Sequence, residues 1–178
     1  MSMENIIKKS KIIIIFLAII IIACDEPSVS ANEDLSTSET ARAIVVRVTD
    51  GDTVVVRLED NSQHSVRIIG VNAPEATSRV EPFGPEATAF LRRLLPEETR
   101  VWLTREGSNM SYSRLRRHIW LDYPSADGDE AGIRRNSVGA RILLAGYGEV
   151  LPNFTPKYRV LFQRFQEEAQ NQKRGMWK

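Results

Sequence analysis

Between Ala43 and Val71 the chain alternates apolar and polar positions in short runs. "AIVVRVT", "TVVVRLE" and "HSVRIIGV" are rich in β-branched residues and are separated by the turn formers "DG" and "DNS". Three strands are therefore predicted, at residues 43–49, 53–59 and 64–71, joined as a meander. The period then changes. In "FGPEATAFLRRLLP" Ala87, Phe90, Leu91 and Leu94 recur at helical spacing, with Pro85 near the start and Pro96 beyond the end, which predicts a helix. "TRVWLTR" and "SRLRRHIWLDY" return to strand character and bring the strand count to five. The polar stretch "PSADGDEAGIRRN" reads as a loop, "SVGARILLAG" as a helix ended by glycine, and residues 157 to about 173 as a last helix.

Five short strands with a helix after the third is the order of an OB-fold barrel. The expected fold class is thus α+β, a five-stranded OB-fold β-barrel with about three helices, occupying residues 41–178. What precedes it has a different character. Lys8, Lys9 and Lys11 flank an unbroken apolar run from Ile12 to Ala23, too short for a comfortable membrane span and suited to the apolar region of a secretory signal. Cys24, the sole cysteine, follows at once. "IIAC" is similar to the lipobox of bacterial lipoproteins, which implies cleavage after residue 23 and lipidation of Cys24. Residues 24–40 are small and polar, lack aromatics, and read as a flexible tether.

The tether conceals the charge of the folded part. Of 24 Lys+Arg and 23 Asp+Glu, three cations and six acids precede Ala41, leaving 21 against 17. The excess is modest, but only Lys157, Lys173 and Lys178 of those cations are lysines. A preference for arginine suits bidentate recognition of phosphate. One cysteine excludes an intrachain disulfide and a thiolate zinc cluster. Neither His64 nor His118 has a partner at zinc spacing.

Candidate chemistry centres on "TDGDT", residues 49–53, and "VRIIGVNAPE", residues 66–75. Alone, the first is a hairpin turn made by Asp50 and Gly51, with Asp52 opening the next strand. In a twisted meander, however, the start of the second strand and the end of the third are neighbours, which lets Asp52 and Asn72 face one point. Two side-chain oxygens and a backbone carbonyl there suit a hard cation such as calcium.

The ordered set "DGDT", "RIIGVNAPE", "FGPEATAFLRRLL", "YSRL" and "RGMW" resembles the staphylococcal nuclease (thermonuclease) family from about Ala41 to Trp177. The resemblance implies an OB-fold and calcium-dependent hydrolysis of DNA and RNA, single strands preferred, leaving 3′-phosphate ends. Carried over by position, it implies Asp52, Asn72 and the Ala73 carbonyl as metal ligands and Arg67 and Arg114 as phosphate-binding arginines. Glu75 falls at the position of the general base, and Tyr112 at that of a substrate contact. Asp50 and Thr53 support the site without touching the ion. No protein partner is evident, and a monomer is expected. With Cys24 lipidated, the domain is expected outside the cytoplasm, anchored to a membrane.

Several positions depart from the family's pattern. Asn72 stands where a second aspartate is usual, Ser113 where glycine is, and Met110 replaces an aspartate. Arg116, Arg117 and His118 occupy a strand where apolar residues are commoner, so either the register slips or these cations extend a phosphate-binding surface. Two other functions remain open: an OB-fold nucleic-acid-binding module with weakened catalysis, and a surface lipoprotein that binds a protein. Intact Arg67, Glu75 and Arg114 argue against both.

Overall fold

The structure is a computed structural model that describes residues 39–107, 110–111, 113–124, 129–151 and 156–178. The leader, the tether with Cys24, and Tyr112 lie outside the described residues. The strands are β1 (Thr40–Asp50), β2 (Thr53–Leu58), β3 (Gln63–Ile68), β4 (Val71–Asn72), β5 (Arg100–Thr104), β6 (Met110–Ser111), β7 (Arg114–Trp120) and β8 (Glu149–Val150). The helices are α1 (Gly84–Leu94), α2 (Glu130–Asn136), α3 (Val138–Leu144) and α4 (Pro156–Asn171), followed by a 3-10 turn at Gly175–Trp177.

The long strands β1, β2, β3, β5 and β7 close into a five-stranded barrel of the OB-fold type. Antiparallel pairing links β3 to β2, β2 to β1, β1 to β5 and β5 to β7, and a parallel pairing of β3 with β7 completes the circle. Strand β1 can serve two neighbours because its 11 residues bend: its register with β2 shifts between Val45 and Arg47 and again between Val48 and Asp50. Such bulges raise local twist and let a sheet curl. Val45, Val54, Val56, Val66, Leu103 and Ile119 are buried in the core so formed. The expected third strand, residues 64–71, is broken by Gly70 at φ 83. Beyond the break, β4 leaves the barrel and pairs with β8.

Four helices are described where about three were expected. The addition is α2, inside the stretch read as a loop. It forms because the Asp129 carboxylate accepts hydrogen bonds from the Ala131 and Gly132 amides, a cap that compensates for a helix of seven residues. Helix α1 carries Ala87 and Leu91 inward. The C-terminal segment locks against α3, where the Met176 amide donates to the Gly146 carbonyl at 2.9 Å. A Cβ at Gly175 would lie 2.2 Å from that carbonyl oxygen, so the approach requires glycine.

Strand β7 keeps its register. Its pairs with β5 run without interruption from Trp102↔Trp120 to Thr104↔His118. Alternation places Leu115, Arg117 and Ile119 on one face and Arg114, Arg116, His118 and Trp120 on the other. The second face divides by position: Arg114 and Arg116 line a cleft, while His118 and Trp120 are covered by α4. Tyr158 and Phe162 stand edge-on to the His118 ring, with centroids at 5.1 and 6.3 Å. His118 Nε2 lies 2.7 Å from Glu106 Oε2.

Burial lowers the His118 pKa despite Glu106, with Lys157 adding to the depression. The folded state therefore favours neutral imidazole, and its stabilisation is complete above the ordinary histidine value and lost as pH falls below it. The urea midpoint should fall between about pH 7 and about pH 5, more steeply in the native chain than in His118→Gln. Equal slopes would remove His118 as the cause.

Candidate active site

The turn that joins β1 to β2 consists of Gly51 and Asp52, since Asp50 still pairs with Thr53. This differs from the expected Asp50-Gly51 turn. Gly51 is also not needed for left-handed backbone, because it is absent from the residues of positive φ. It is needed for space: a Cβ there would lie 2.7 Å from the Ala73 Cβ and 2.9 Å from the Ala87 Cβ. The hairpin tip is thereby pressed against both the loop after β4 and helix α1.

That contact takes Asp52 out of water, leaving it 2% exposed. A buried carboxylate needs donors, and three elements supply them. The Ala73 amide donates to Oδ2 at 2.8 Å and the Thr53 hydroxyl to Oδ1 at 3.0 Å. The Arg67 guanidinium, from β3, pairs with the same Oδ1. Through its second nitrogen Arg67 also donates to Asn72 Oδ1 at 2.9 Å. Asp52 and Asn72, 20 positions apart in sequence, thus converge on one cationic group, as the meander geometry predicted.

Burial lowers the Arg67 pKa to about 10, and the nearby charge of Arg114 adds to the shift. Arg114 reaches from β7 to within 3.5 Å of Thr53 Oγ1. The two guanidinium groups, Asp50, Asn72, Ala73, Glu75 and Arg116 line one cleft of about 480 Å³. Three guanidinium groups at its wall suit an anion that would relieve their repulsion, beside the carboxylates of Asp50, Asp52, Glu75 and Glu81 on the same lining.

Glu75 sits on the loop after β4 and is fixed from several sides. A hydrogen bond from Asp50, then one from Thr77, holds its carboxyl down to about 2. Asp50 moves the other way: burial and the Glu75 contact push its pKa up. Asp50 Oδ1 meanwhile accepts from the Gly51 and Ala76 amides and from Thr88 of α1. Asp50 is accordingly the brace between hairpin, loop and helix. The Glu75 amide in turn donates to Glu81 Oε2 at 3.0 Å.

Sequence reasoning missed Thr77, Glu81 and Thr88. Thr77 lies two residues from Glu75, a spacing common to local side-chain turns. Glu81 and Thr88 gave no signal, because the loop's return onto α1 is set by tertiary contact.

The oxygens at Asp52 and Asn72 fit a hard cation, since both already point at one positive group. Among the described residues no three of His, Cys, Asp and Glu cluster to hold a metal. A cation here would rest on one carboxylate, one amide oxygen, and backbone or water oxygens. The Ala73 contribution that is visible is its amide, given to Asp52.

A family model described as staphylococcal nuclease homologue matches residues 65–178. The chain belongs to the staphylococcal nuclease family. It is 32% identical over 141 residues to a thermonuclease of Staphylococcus intermedius, covering 75% of this chain and 74% of that protein. To a thermonuclease of Staphylococcus hyicus it is 30% identical over 173 residues, covering 93% and 95% respectively. An uncharacterised protein of Bacillus anthracis is 27% identical over 145 residues, with 78% and 62% covered. In this staphylococcal nuclease homologue, the matched region contains Arg67, Asn72, Glu75 and Arg114, while "TDGDT" lies before it.

Gly84 offers a test of how tightly Glu75 is placed. A Cβ there would lie 2.2 Å from the Glu75 carbonyl oxygen, a backbone atom with little room to move. Gly84→Ala should destabilise the fold by about 1–3 kcal/mol, read from urea denaturation. An unchanged midpoint would show that the loop is free to shift away from α1.

Proposed function

We propose that the protein is a calcium-dependent nuclease that hydrolyses phosphodiester bonds of DNA and RNA and leaves 3′-phosphate ends. The observation that carries this reading is the convergence of Arg67, Arg114, Glu75, Asp52 and Asn72 on one cleft. Calcium held by Asp52, Asn72 and the Ala73 carbonyl would supply positive charge that screens the phosphate from the attacking oxygen.

The chain's own residues do the rest. A phosphate oxygen entering the cleft competes with Asp52 and Asn72 for the Arg67 guanidinium, and Arg114 takes a second oxygen. Both arginines strengthen their hold as negative charge grows in the transition state. Glu75 is ionised across the physiological range, as a group that takes a proton from water must be. A water bound beside it can give up its proton to this carboxylate, which acts as the general base. Asp50 and Thr77 keep it in place. Tyr112, two positions before Arg114 in the sequence, would contact the substrate.

Hydrolysis of single-stranded DNA by the full chain, in calcium and then in excess chelator, tests the reading. Activity that survives chelation would remove the metal. Glu75→Gln and Arg114→Ala should each lower kcat at least about 10²-fold while DNA binding falls less. Asn72→Asp restores a carboxylate and should lower the calcium concentration for half-maximal cleavage, since affinity in oxygen sites follows ligand charge.

A second reading, a nucleic-acid-binding module with weakened catalysis, draws support from the neutral amide at Asn72 and from Arg67 being already paired with Asp52. DNA binding without turnover at any calcium concentration would establish it.

The domain is held outside the cytoplasm by a lipid on Cys24. The order of a basic segment, a short apolar run and cysteine supports this. Cys24→Ser should abolish incorporation of labelled fatty acid; continued labelling would place the anchor elsewhere.

A further inference from the structure

Away from the cleft, Arg134, Arg135, Arg141 and Arg174 line a groove of about 510 Å³ together with Phe90 and Leu144. The last turns of α2 and α3 contribute Arg134, Arg135 and Arg141. Compensation of the helix dipole accounts for a cation in each last turn, but not for their convergence on one surface. Two of the four are fixed in advance. Arg134 donates to Glu168 at 2.7 Å and lies 3.6 Å from Glu130, and Arg174 donates to the Leu144 carbonyl at 2.8 Å and to Glu168 at 3.3 Å. Arg135 and Arg141 are exposed and have no acidic partner among the described residues. Four guanidinium groups therefore face two carboxylates. Phe90 stands at the wall, backed by Tyr147 with ring centroids 5.3 Å apart.

Helix α1 relates this groove to the cleft. Its first residue, Gly84, packs on the Glu75 carbonyl, and Phe90 lies six residues further on, about 9 Å along the axis. A cationic channel with partly exposed aromatics is the usual equipment for holding single-stranded nucleic acid without reading its sequence. We propose that the groove is a second polynucleotide site, which binds the sugar-phosphate backbone of a long strand that also reaches the cleft. This rests on the nuclease reading and adds to it a preference for long substrates. A lipid surface is the poorer occupant, because Arg134 and Arg174 are held back against the protein by Glu168 rather than projecting toward a planar array of headgroups.

The test compares the full chain with the double variant Arg135→Gln, Arg141→Gln. Both side chains are exposed, so the variant should fold normally. Anisotropy of a fluorescein-labelled DNA strand of about 20 nucleotides, in chelator, should show roughly tenfold weaker binding by the variant. The slope of log affinity against log salt should shrink by about 1.4, the loss of two phosphate contacts to a single strand. Hydrolysis of a strand of about 4 nucleotides in calcium should be unchanged, because it fits within the cleft. Equal affinity and slope for the long strand would overturn the proposal. So would loss of binding to phosphatidylglycerol vesicles with DNA affinity intact, which would make the groove a headgroup surface. If the native chain neither bound nor cleaved either strand, the nuclease reading would fall first and the groove with it.

Discussion

A carboxylate held out of water at the tip of a hairpin organises the functional side of this molecule. Asp52 is buried because Gly51 lets the β1–β2 turn close onto Ala73 and Ala87. Once buried, it has to be satisfied, and each donor that satisfies it is a piece of the cleft. The Ala73 amide fixes the loop that carries Glu75, Thr53 begins the next strand, and Arg67 brings β3 and Asn72 to the same point. Removing one partner from such a set leaves a charge without compensation, which costs more than the pair contributes. The cleft and the local fold are therefore one construction, and the arginine that would grip phosphate also neutralises the acid that would hold a cation.

Much of this was legible in the sequence because the barrel strands are half-buried ribbons, and alternation records which face is inside. The five strands, helix α1 and the approach of Asp52 to Asn72 all follow from that pattern. The short helix α2 was not legible, since seven residues are too few for a periodic signal. The cap that sustains it, Asp129, looks like any loop aspartate. Gly51 was legible as a turn residue, whereas the structure uses it for the volume it lacks. Strand β7 shows a further limit. Its charged residues suggested a conflict of register, yet the register holds: one face serves the cleft at Arg114 and Arg116 and helix α4 at His118 and Trp120, while the other buries Arg117 beside Leu115 and Ile119, its guanidinium donating to the Arg116 carbonyl.

The brace at Asp50 was legible only as a turn. Its links to Ala76 and Thr88 join residues 26 and 38 positions away, and no local pattern records contacts of that span. The arginines of the α2–α3 surface are similar: each is ordinary in its own helix, and only their assembly makes a groove.

The lock between Gly146 and Gly175 also orders events in time. Residues 174–177 come late in the described residues, and α4, which covers His118 and Trp120, ends at Asn171 just before them. Barrel closure by β3 and β7 can be completed earlier, but the outer face at His118 and Trp120 stays uncovered until α4 has been made. During synthesis a closed barrel can consequently exist before its helical roof, and the contact of Gly146 with residues 175 and 176 forms after it.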